Sequence, residues 1–172
     1  MNYNPLEIIE QHWLNHQISI NAARNIKTNL NTIPSELLFE TEDNFIKWYD
    51  VYLDDSKSYI VILLWAEFDK IIIEYLDKEI NDLKKNPRVK SIIVNLNDKE
   101  IDEWYTKSRL KMLNHLINTM ELLQAYDTRN YYAHRNPKKK YVILSPELVY
   151  SRIKKAVIAL HPNQPIPDNL FE

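Results

Sequence analysis

Not one of the 172 residues is glycine. The chain therefore lacks the residue that takes positive φ without steric cost. Two-residue hairpin turns lean on such residues, so a tightly turned all-β fold is disfavoured. The glycine-built phosphate cradles are excluded as well, because the P-loop and the dinucleotide fingerprint need a backbone that approaches phosphate with no Cβ in the way. The accompanying richness in Asn, Ile, Lys and Tyr accords with AT-rich coding, but the exclusions hold whatever its origin. A chain of this length suits one domain, 1–172, with a real core built from a few long elements.

Cysteine is also absent, which removes disulfides and thiolate metal sites. The N-terminal residues Met1 to Pro5 lack the basic start and apolar run of a signal peptide. The most apolar stretch, 59–65, is too short to span a bilayer and soon meets Glu67, Asp69 and Lys70. The expectation is a cytoplasmic protein with no membrane span.

The formal net charge of -2 hides an asymmetry. Between Arg129 and Lys155 eight basic residues face one acid, Glu147, which leaves 14 basic and 23 acidic residues elsewhere. A basic third on an acidic body is what an anion-binding face looks like, and also what solvated helix ends and a charged loop look like.

Helical periodicity dominates the chain. A first amphipathic helix is expected over 5–30, with Leu6, Ile9, Trp13, Ile20, Ala23 and Ile26 near one face. A short helix follows Thr41 and carries Phe45, Trp48, Tyr49 and Tyr52. Asp54-Asp55-Ser56 then reads as the cap of a separate central helix over 57–85. The β-branched runs 90–96 and 140–144 suggest a short two-stranded ribbon. One long helix is expected from Asp98 to Ala133, and a last one from Ser145-Pro146-Glu147 to His161, with an extended tail over 162–172. The fold class is all-α, a helical bundle with that ribbon as its one sheet element.

In the long helix, Leu116, Met120 and Leu123 share a stripe that continues through Asp127, Asn130 and His134. A core stripe that turns polar demands partners, since unpaired polar groups are costly to bury. Arg129 does not share it: five residues from His134 is about 140° of rotation and about 7.5 Å of rise. A distorted helix, an arginine that reaches round, or a second copy facing the first across a dyad would each resolve this.

The run Arg129-Asn130-Tyr131-Tyr132-Ala133-His134 resembles the signature of the HEPN superfamily: an arginine, a polar residue, then a histidine after a short spacer. The run 63–68, with Glu67, is similar to that family's earlier helix. The resemblance implies a small helical bundle, commonly a homodimer, and in many members an endoribonuclease needing no metal or other cofactor. It also implies a setting in toxin–antitoxin or antiviral defence systems, with a partner protein. Residue by residue it implies that His134 is the acid/base, that Arg129 stabilises the phosphorane and that Asn130 orients the histidine or a phosphate. Arg135, Lys138, Lys139 and Lys140 would hold the RNA backbone. Some members carry a tyrosine two residues after the histidine as a control point; here that position is Asn136.

The residue types suit that chemistry on their own account. Imidazole transfers protons near neutral pH, and guanidinium presents a fixed fork of donors to phosphate oxygens. The rival readings are a non-catalytic helical module that binds RNA, a nucleotide or a protein through the same face, and a structural protein whose Arg129 and His134 merely secure helix ends. His12 and His16 have the spacing of a helical metal pair, but no third ligand is marked nearby. His115 and His161 read as surface or packing residues, and Glu67 as a salt-bridge partner.

Overall fold

The computed structural model describes residues 4–28, 42–89, 101–135 and 143–163. Five α-helices and one 3-10 turn make up its regular structure, with no strand among the described residues. The fold is an all-α bundle. The proposed ribbon falls mostly on 90–96 and 140–142, outside the described residues, and so do Lys138 to Lys140 and 164–172.

Helix α1 (Pro5–Thr28) starts with proline in its first turn, where a missing N–H costs nothing, while the Asn4 side chain accepts from the Leu6 amide at 3.1 Å. Pro5, Leu6, Ile9, Ile20 and Ala23 are its buried positions, and Trp13 and Ile26 on the predicted face are half-buried.

Helix α2 (Glu42–Lys84) corrects the expected boundary at Asp54-Asp55-Ser56. Its 43 residues run without a break for about 64 Å at the usual rise. The two aspartates are exposed, and Ser56 Oγ lies 3.1 Å from His16 Nδ1 on the antiparallel α1. Interior Asp and Ser cost only a few tenths of a kcal/mol each. Packing on both sides of the segment outweighs that: Phe45 and Tyr49 cluster with Ala23 before it, and Ile60 joins Ile9 in the main core after it.

Every other described element packs on α2. Its second half supplies Leu64, Trp65, Phe68, Ile71, Ile72 and Leu76 to one continuous core. The sequence reading of a central helix contacted from several sides is what the structure contains.

The expected helix 98–133 is three elements. A 3-10 turn (Ile101–Glu103) leads into α3 (Thr106–Met112), and a turn follows before α4 (Thr119–His134). Asn118 starts α4, its side chain accepting from the Glu121 amide at 3.3 Å. Bending here lets Leu110, Leu113 and Ile117 all reach the core.

Arg109 holds this corner together. It is only 4% exposed, and its Nη1 donates to the carbonyls of Ile101, Asp102 and Trp104 at 3.3, 3.2 and 2.8 Å. Its Nη2 meets both carboxylate oxygens of Asp69 on α2, at 2.8 and 2.6 Å.

Helix α5 (Pro146–Leu160) begins as expected, with Ser145 accepting from the Leu148 amide and proline in the first turn. Trp13 stacks on its Tyr150 at 4.7 Å, and Lys154 pairs with Glu10 at 2.6 Å, so α5 is clamped along α1.

Candidate functional site

The buried face of α4 is Leu122, Ala125 and Thr128. That corrects the stripe read from the sequence: Met120 is 74% exposed and Leu116 39%, so Leu116–Met120–Leu123 is not a core stripe. Asp127 and Asn130 are half-buried at its edge and His134 is exposed, so no buried stripe turns polar here. The true inner face is finished by Thr128, whose hydroxyl donates to the Gln124 carbonyl at 3.0 Å and accepts from the Leu144 amide at 3.1 Å. This ties the chain entering α5 to α4.

Arg129 is half-buried in a cleft of about 260 Å³ between α2 and α4, among Trp65, Asp69, Thr106 and Tyr126. Its Nη1 donates to Asn130 Oδ1 at 3.0 Å, and its Nε is buried with no hydrogen-bond partner. Asp69 on the cleft wall is already engaged by Arg109, so its charge is compensated before Arg129 is considered. The guanidinium of Arg129 is thus anchored on one side and uncommitted on the other.

His134 lies in the last turn of α4 with its side chain in solvent. Among the described residues no hydrogen bond, ion pair or ring contact joins it to Arg129. The structure brings Arg129 and Asn130 together and leaves His134 apart, as the helical angle requires.

Arg135 ends the helix in the left-handed region, at φ 41° and ψ 39°, with its amide donating to the Tyr131 carbonyl at 2.7 Å. Glycine usually fills this position; here the glycine-free chain uses arginine. Its exposed guanidinium lies 3.6 Å from Asp55 and 3.8 Å from Asp54 on α2. Burial pushes the nearby Tyr132 phenol up, and Asp54 adds to the effect. The α4 terminus therefore sits over the acidic pair that the sequence suggested was a helix cap.

No family model, curated protein or solved structure matches the chain. The reading of the site rests on its residues.

Three features were not anticipated from sequence: the Asp69–Arg109 pair, the anchoring of Arg129 beside it, and a larger cleft of about 420 Å³ between α1 and α2. His12, His16, Tyr52, Asp55 and Ser56 contribute to its walls. Burial lowers the His16 pKa against the opposing pull of Glu147. No group of three or more His, Cys, Asp or Glu among the described residues is placed to hold a metal ion, so His12 and His16 remain without a third ligand. His161 packs edge-on against Tyr75 at 5.9 Å, in line with a packing role, and Glu67 pairs with Lys70 at 2.7 Å. No described helix is long and apolar enough to cross a membrane.

Proposed function

We propose that the chain is an endoribonuclease of HEPN type that cleaves RNA by attack of its own 2′-hydroxyl and needs no metal ion. The observation that carries this reading is the state of Arg129, half-buried in the cleft between α2 and α4 with its Nη1 anchored on Asn130 at 3.0 Å. A guanidinium held this way is ready for phosphate oxygens at little ordering cost. His134, five residues on and open to solvent, supplies a proton carrier within reach of a strand lying across the end of α4.

In the proposed reaction an imidazole takes the 2′-hydroxyl proton as that oxygen attacks phosphorus. Arg129 stabilises the crowded dianionic phosphorane. The imidazolium so formed then gives that proton to the departing 5′-oxygen. The products are a 2′,3′-cyclic phosphate and a 5′-hydroxyl. An arginine some 140° away from the histidine of its own chain calls for a homodimer, in which each copy completes the other's site. Arg135 and the lysines 138–140 hold the RNA backbone, and a toxin–antitoxin or antiviral defence setting with a cognate partner protein fits such an activity.

The test is incubation of the purified protein with RNA in EDTA, beside Arg129→Ala and His134→Ala, with analysis of the new ends. Wild type is expected to yield cyclic phosphate ends, and each variant to lose at least about 100-fold in rate. Cleavage that survives both substitutions, or stops with EDTA, overturns the mechanism. The divergence of Arg129 and His134 within one chain favours the second reading, a module that binds RNA or another partner without cutting it. Salt-sensitive RNA binding with no new ends would establish that reading instead.

A further inference from the structure

The cleft between α1 and α2 stands apart from Arg129 but not from the α4 terminus, because Asp55 in its wall is the residue that Arg135 pairs with at 3.6 Å. Its volume, about 420 Å³, lies within the range of small-molecule pockets. Ile60 and Leu63 give it an apolar floor, and the Tyr52 and Tyr59 rings flank it. Tyr59 is largely exposed, which leaves a π-face open at the mouth. Among the described residues neither lysine nor arginine lines it, and the one formal anion there is Asp55. Such a lining repels a phosphate and admits a flat, neutral ring.

The polar groups go further than shape. Asn15 carries a primary amide into the cleft, its oxygen accepting from Gln11 at 2.9 Å while its NH2 and second lone pair stay available. An amide that donates and accepts side by side pairs with the ring nitrogen and amino group of adenine and equally with the imide N–H and carbonyl of uracil, so it holds a base in plane without choosing it. A carboxylate at the same cleft accepts from an exocyclic amino group and opposes a carbonyl. Uracil presents an imide N–H between two carbonyl oxygens, so it fits worst. His16 is tied to Ser56 at 3.1 Å, and burial disfavours its charged form.

We propose that this cleft is a nucleobase pocket that takes an amino-bearing base, adenine first, from an RNA strand whose backbone passes Arg135 and His134. The link to a strand rests on the ribonuclease reading; the pocket itself does not. The Arg135 pair with Asp54 and Asp55 is exposed at all three side chains, so it exchanges readily for a phosphate. The base then enters the cleft while its phosphate stays at the α4 terminus, and the pocket sets which nucleotide lies beside the reacting bond.

The experiment is an amide-resolved NMR titration of the full chain with adenosine, cytidine, guanosine and uridine separately. Adenosine is expected to give saturable shifts confined to the facing parts of α1 and α2, with uridine weaker by about tenfold or more. Asp55→Ala, at an exposed position, should erase the preference with the fold intact, and Tyr59→Ala should weaken all four nucleosides. Absence of shifts along α1 and α2, equal binding of uridine, or a preference untouched by Asp55→Ala each overturns the proposal. Nucleoside binding does not depend on turnover. A protein that binds adenosine but cuts no RNA keeps the pocket and loses the ribonuclease reading, whereas one that cuts RNA but binds no nucleoside does the reverse.

Discussion

Arg109 makes six side-chain hydrogen bonds among the described residues, and nothing local in the sequence marks it. Between Lys107 and Lys111 it reads as one more charge on a solvated face. Its partner Asp69 is 40 residues away, and its other acceptors are carbonyls of a turn that does not exist until the chain folds. Removing it strands a carboxylate and three carbonyls at once. Arg109→Ala is expected to cost about 3–5 kcal/mol in denaturant unfolding; a loss under about 1 kcal/mol would mean the pair behaves as a surface ion pair. Arg129, Asn130 and His134 were legible for the opposite reason, because their chemical types recur at short fixed spacing. Even the divergence of Arg129 from His134 follows from 100° per residue. What periodicity could not supply was which stripe of α4 faces inward. Met120 and Leu116 looked like core, yet the buried stripe runs through Ala125 and Thr128, whose small side chains allow close approach to the chain entering α5.

At the level of elements, the helices and the start of α5 were readable, but the boundaries at 54–56 and 113–118 were not. Asp54-Asp55-Ser56 has the composition of a cap, and local propensity alone would place a break there. The structure runs α2 straight through, because α1 packs against it on both sides of the segment and Arg135 covers the two carboxylates. The reverse error occurred at 113–118, where apolar spacing continued but the backbone turned, and where Asn118 followed by Glu121 was the available signal for a new start. Proline at Lys57 separates the two views of α2. Were Ser56 a cap, position 57 would be the first helical residue, where proline is tolerated. In a continuous helix Lys57→Pro removes an interior hydrogen bond and clashes with the carbonyl four residues before, so a loss of about 3 kcal/mol or more is expected. Thermal or urea unfolding reads the difference, and a change near zero would restore the boundary.

At the scale of the whole molecule, the charge asymmetry and the α4 geometry meet in one requirement. The basic third begins where α4 ends, and the two residues proposed for the chemistry point apart within one chain. A single copy has an anchored guanidinium on one side of a helix and a free imidazole at its tip. Two copies related by a dyad can set the arginine of one against the histidine of the other, and each of the two pairings is then built from both chains. Co-expression of Arg129→Ala with His134→Ala tests this without knowledge of the interface. Random pairing makes about half the dimers hybrids, and each hybrid keeps one complete pairing of two, so about a quarter of wild-type cleavage should return. Each variant alone has no complete pairing and stays inactive. If both residues instead worked within their own chain, through a distorted α4 or an arginine reaching round it, every chain in the mixture would lack one of them. The hybrids would then be as inactive as their parents, and the case for a shared site would fall with them.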